Sequence, residues 1–213
     1  MADITEFTGH IAGIGHVFYN DVDADPIDLA AFDFSKPATF GDWTWLGDTS
    51  SENLIEFDKD GGDVTNKRTW DRLNTGVSRE PTSRSCVINA VNTSRDTFAL
   101  GFSDYEYDEE TDSYAVGSSL VAAEKAIQII SEEGALVASL YLYKTSIIGD
   151  LPTFDLEEYM EWPLNVALLD SPTKAKQFRW FPPRSRTGIT APEGQSLMAA
   201  RSGAVESAKS SKA

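Results

Sequence analysis

The chain has 213 residues, 41% of them hydrophobic, and a formal net charge of −16. That length suits one domain with extensions, and so acidic a body repels phosphate backbones, which argues against sequence-reading nucleic-acid binding. The longest apolar stretch, GALVASLYLY at 134–143, is about half of what a membrane-spanning helix needs.

The charge is uneven. Residues 1–60 carry net −11, residues 61–183 net −8 and residues 184–213 net +3. The N-terminus, MADITEFTGH, lacks the basic start and apolar run of a signal peptide, and Cys86 alone cannot staple the chain. Both features suit a cytoplasm-like compartment.

In chain order, residues 1–41 (GHIAGIGH, NDVDADPIDLAAFDF, SKPATFGD) hold no sustained period and read as an extended arm or loop. Its Ile11, Ile14, Val17, Phe18, Tyr19, Phe32 and Phe34 are expected to find their burial on a neighbouring subunit. From Trp43 the text changes to short strand-like runs, WTWLG, NLIEF, VTNKRTW and SRSCVINAV, with Asp60-Gly61 as a hairpin turn. TSRDTFALGF at 93–102 reads as a helix, started by Thr93 with Asp96 and presenting Phe98 and Phe102 on one face. An acidic, tyrosine-bearing loop, SDYEYDEETDSY, follows at 103–114.

KAIQIIS and ALVASLYLYK read as two strands joined by the turn EEGA. Residues 158–169 alternate apolar positions from Met160 to Leu168 and read as a strand, with Pro163 on an edge or at a bulge. KQFRWFPP is a last strand closed by Pro182-Pro183. The sum is seven or eight strands and one helix, an antiparallel β-sandwich or barrel over 42–183. Residues 184–213, poor in large apolar groups, read as a disordered tail.

Chemistry-bearing motifs are sparse. Asp21, Asp23 and Asp25 have the alternate spacing of a calcium loop, but Pro26 stands where the sharp-turn glycine belongs and Phe32 where the bidentate glutamate belongs. Asp58, Asp60 and Asp63 read first as turn residues. His10 and His16 lie in the irregular arm without a predicted partner, and Cys86 reads as a small core residue. No nucleophile elbow, paired-histidine zinc motif or phosphate loop is present. The residues therefore nominate no catalytic, cofactor or metal site. Trp43, Trp45 and Trp70 leave open a β-sandwich carbohydrate-binding module that uses them as sugar platforms.

The stretch GDWTWLGDTSSENLIEFDKDGGDVTNKRTWD, at 41–71, resembles the major tail proteins, or tail tube subunits, of long-tailed phages with flexible tails, especially those infecting actinobacteria. The likeness lies in the order Trp43-Thr44-Trp45-Leu46-Gly47-Asp48-Thr49, Glu52-Asn53, Lys59-Asp60-Gly61-Gly62 and Lys67-Arg68-Thr69-Trp70-Asp71, and extends over residues 1 to about 183. The resemblance implies a non-enzymatic virion protein, a β-sandwich with a flanking helix that forms hexameric rings around a DNA-conducting lumen. It also implies tape measure, tail terminator and tail-tip proteins as partners, and assembly in the host cytoplasm. An acidic wall would suit such a conduit, and the acids between Asp104 and Asp112, or those in strands bordering the lumen, are expected to face it.

Overall fold

The structure is a computed structural model and describes residues 13–119, 121–152, 154 and 159–186. Along the chain run β1 (Ile14–Asn20), β2 (Thr44–Trp45), β3 (Phe57–Gly61), β4 (Val64–Thr69), β5 (Arg72–Arg79) and β6 (Thr82–Ala90). Then come α1 (Arg95–Gly101), β7 (Tyr105–Asp108), β8 (Ser113–Val116), β9 (Ala123–Glu133), β10 (Leu136–Gly149), β11 (Trp162–Leu169) and β12 (Phe178–Ser185). The fold is mainly antiparallel β with one helix, as expected.

Eight strands form one sheet in the order β2-β1-β9-β10-β11-β6-β3, with β12 beside β10. β10 organises it. Its first eight residues, LVASLYLY, are apolar at every position but Ser139, the pattern of a strand buried on both faces. One edge takes β9; the other takes β12 over Leu136–Leu142 and β11 over Lys144–Gly149. The β9–β10 register shifts between Leu142 and Thr145. That irregularity resets the alternation, so that Leu142 and Ile147, an odd number of residues apart, serve the same core.

Two cores lie on the two faces. The first joins Val17, Ile88, Ile127, Ile147, Leu164 and Val166, from five neighbouring strands, with Leu46 and Leu100 of α1. Such a cluster requires a curled sheet, and the chain after β2 closes it. Leu46 N–H donates to Val17 O (2.9 Å) at the β1 end, while Ser50 N–H donates to Asn89 O (2.9 Å) and Val91 N–H to Asp48 O (2.9 Å) at the β6 end. The sandwich or barrel expected from the sequence is thus one curled sheet closed through residues 44–50.

α1 caps this barrel. Its N-cap is Ser94, whose Oγ accepts the Thr97 N–H (3.3 Å), one residue after the expected Thr93. Thr97 faces inward and reaches Leu46 O (3.4 Å), whereas Asp96 is exposed, which sets the register. A Cβ on Gly101 would stand 3.0 Å from Gly149 Cα, so the helix approaches β10 as closely as it does because both residues are glycine.

The second core corrects the expected arm. Residues 1–12 lie outside the described residues, but β1 is an interior strand between β2 and β9, and Phe18, Ile27, Leu29, Phe32 and Phe40 are buried within their own chain. Two buried polar side chains of the sheet pin the 21–43 segment to it, and a third bond ties the segment to itself. Gln128 Oε1 accepts Ile27 N–H (2.8 Å), Tyr141 OH donates to Ala24 O (2.6 Å) and Trp43 Nε1 donates to Asp25 O (2.8 Å). Lack of a period therefore marks a segment buried by tertiary contact, with β1 buried on both faces through Val17 and Phe18.

Other expectations change for local reasons. Asp60-Gly61 does not join two paired strands: β3 pairs with β6, and β4 with β5. The tandem glycines, at φ 74° and 83°, instead turn the chain out of the main sheet into the β4–β5 hairpin, whose tip is Trp70-Asp71. Residues 53–56 of NLIEF are not strand. The loop at 103–114 contains the β7–β8 hairpin, and with β1 and β5, which were not expected as strands either, the described residues hold twelve strands. Pro163 lies within the interior strand β11, just before the pairing with β10 begins at Leu164, so no N–H is missed there. Pro182 and Pro183 do not end β12. They sit at its irregularity, between the Ser139–Phe181 and Val137–Arg184 pairs, and the strand runs to Ser185. Residues 187–213 of the expected tail lie outside the described residues.

Candidate assembly surfaces

The sequence-nominated residues do not converge. Asp21 pairs with Lys125 (2.7 Å), and this hydrogen bond holds its pKa down. Asp23, at φ 64°, accepts Thr173 Oγ1–H (2.7 Å). Asp25 contributes its backbone carbonyl to Trp43. Asp60 Oδ1 accepts the Gly61 N–H (2.8 Å) at the end of β3. Among the described residues no three His, Cys, Asp or Glu side chains are placed to hold a metal ion, and no helix is long and apolar enough to cross a membrane.

Cys86 is the core residue expected, and burial pushes its thiol up to about 12, far from a reactive thiolate. His16 has a rigid setting that the sequence did not announce. Its ring stacks on Phe34 (centroids 3.8 Å, 12°), Nε2 lies 3.9 Å from Glu132 Oε1, and burial lowers its pKa despite the Asp48 charge. Glu132 meets Arg186 at 3.3 Å, and burial raises its pKa against that partner. This cluster ties β1 and β9 to the residue after β12. His10 lies outside the described residues.

The tryptophans form no shared platform. Trp43 is buried in the second core, Trp45 is partly exposed with an edge contact to Phe34 (5.2 Å), and Trp70 is fully exposed at a hairpin tip. A surface cleft lined by Asp48, Ser50, Glu52, Tyr159 and Glu161 offers carboxylates and hydroxyls.

What remains on the surface is geometry suited to association. β3 pairs only with β6 and β12 only with β10, so each leaves one edge without a partner strand among the described residues. The β4–β5 hairpin stands off the sheet with Val64, Trp70 and Val77 exposed. The β7–β8 hairpin rests on α1 through a ring cluster in which Phe98 meets Phe102 (4.9 Å), Tyr114 (5.1 Å) and Trp162 (5.4 Å), with Arg95 4.7 Å over Tyr107. The Phe98–Phe102 pairing was legible. The hairpin was missed, although Tyr105 and Tyr107 alternate with Glu106 and Asp108 at strand period.

The fold is thus a curled antiparallel sheet with open edges among the described residues and two hairpins set apart from it. Residues 6–190 match the family described as phage tail tube protein. The chain belongs to that family, and is accordingly a structural component of a phage tail and not an enzyme. No match was found among curated proteins.

Proposed function

We propose that the chain self-assembles into hexameric rings that stack into the tail tube, the conduit for DNA ejection into the host. The observation that carries this reading is the family match over residues 6–190, seated on a sheet whose β3 and β12 edges lack partner strands among the described residues. Joining sheets between subunits would satisfy those edges, and heterologous contacts of that kind close into rings. Assembly takes place in the host cytoplasm, with tape measure, tail terminator and tail-tip proteins as partners of the finished tube.

The charge supports a conduit, since each cation paired with phosphate releases counterions and makes DNA adhere. Acids of strands bordering the lumen keep the genome mobile. Electron microscopy of the purified protein tests the reading: six-fold rings or tubes are expected, and monodisperse monomers at high concentration would refute it. Reversing several lumen acids to lysine should give tubes that retain DNA, with retention falling as salt rises. Unchanged DNA passage in every such tube would reduce the charge to a solubility role.

A further inference from the structure

The net charge conceals a local reversal. Residues 171–186 carry five cations, Lys174, Lys176, Arg179, Arg184 and Arg186, and no acid. Arg186 is taken by Glu132. Lys174 feels the charge of Asp23, which Thr173 holds nearby, but among the described residues none of the other four has a carboxylate at ion-pair distance; Lys174, Arg179 and Arg184 lie over the rings of Tyr143 and Phe181 at 5.3 to 5.9 Å. Arg84 joins them from β6, 5.6 Å over Phe178 and bonded to Gln177 Oε1 (2.8 Å). Phe178 and Trp180 of β12 are 43% and 55% exposed. Arginine beside exposed aromatic rings, on a strand with one edge open among the described residues, is the composition of an interface centre.

The complementary surface is on the same chain. Residues 103–113 carry six acids and no base, and all six are exposed. They decorate the β7–β8 hairpin, which Arg95 and the Phe98 ring cluster hold in place on α1. Among the described residues no ion pair joins the two surfaces within the subunit, and their anchors on β10 lie apart. β12 pairs with Leu136–Leu142 of β10, whereas α1 sits against Gly149, about 20–25 Å further along the strand.

We propose that the basic aromatic patch on β12 docks the acidic β7–β8 hairpin of a second copy of this chain, head to tail. The inference rests on the reading of the chain as a self-assembling tube subunit and names the surfaces that subunit uses. It gives the hairpin acids a protein contact in place of the lumen position expected from the sequence. Opposite charges at the two ends fix the direction of the contact, because acid against acid or base against base repels.

Carbodiimide joins an amine directly to a carboxylate, so it reads this contact in the wild-type protein. In tubes, peptide mass spectrometry should find Lys174 or Lys176 joined to Glu106, Glu109 or Glu110, and in dilute monomers it should not. A second arm reverses exposed charges. Arg179→Glu with Arg184→Glu, or Glu109→Lys with Glu110→Lys, should each slow assembly about tenfold or more, and all four changes in one chain should restore it. Tubes cross-linked only elsewhere, normal assembly of either reversed pair, or no recovery in the fourfold variant overturns the contact while leaving the tube reading standing. A wild type that forms no tubes at any concentration overturns both.

Discussion

Replacing Phe32 by alanine tests whether the segment from β1 to Trp43 belongs to the subunit's own core. Phe32 is 1% exposed; its ring centroid lies 5.8 Å from Phe18 at an interplanar angle of 87° and 5.7 Å from Phe40. Truncating a phenylalanine buried to that degree removes its transfer free energy and leaves a cavity, together about 3–5 kcal/mol. For a domain of this size about 1 kcal/mol moves Tm by about 2–4 °C, so the monomer should melt about 6–20 °C lower. The assay is thermal or urea denaturation of unassembled protein, followed by tryptophan fluorescence, since Trp43 shares the same core. A segment that orders only on a neighbouring subunit would make Phe32→Ala silent in the monomer. A shift below about 2 °C, less than one kcal/mol on this scale, would refute the assignment of Phe32 to the monomer's core.

Three further substitutions probe other contacts. Gly149→Ala should destabilise by about 1–3 kcal/mol, because its Cβ would stand 2.9 Å from Phe102 Cε2 and 3.0 Å from Gly101 Cα, and a stable variant in urea titration would show that α1 can shift. Arg186→Ala should cost about 1–3 kcal/mol by leaving Glu132 buried without its cation and Gly134 O without its donor, whereas removing residues 187–213 should leave Tm unchanged. Equal effects of the two changes would contradict this division. His16 has a folded pKa below its ordinary 6.5, so the unfolded chain takes up the proton first as pH falls. Its contribution to stability is therefore complete above about pH 6.5 and is lost below it, down to the folded pKa; His16→Gln should flatten the stability profile between about pH 7 and 5, and an unchanged slope would count against it.

Sequence periodicity revealed the elements whose environment is simple. β11 alternates buried Leu164, Val166 and Leu168 with exposed Asn165 and Ala167, so period two was visible, and β9 and β10 announced themselves as apolar runs around the EEGA turn. β1 did not, because IGHVFYN is buried on both faces and carries no alternation. The 21–43 segment is held by single side chains reaching far along the chain, such as Gln128 on Ile27, and local pattern cannot encode such contacts. The candidate surfaces were hidden by arithmetic as much as by folding. Dividing the charge at residue 183 separated Arg184 and Arg186 from Lys174, Lys176 and Arg179, and submerged the rest in a segment of net −8.

That division bears on how an acidic chain can associate with itself. Two bodies of net charge −16 repel, yet at physiological ionic strength the Debye length is about 8 Å, so repulsion acts mainly between charges near the contact. Association then depends on local composition and not on the total. A cationic strip with exposed Phe178 and Trp180 lets an acidic neighbour approach in one orientation, while the remaining acidic surface disfavours the others. In the proposed contact, excess negative charge and a small basic edge would work together: the first would keep subunits apart in wrong poses, and the second would select the one that continues the assembly.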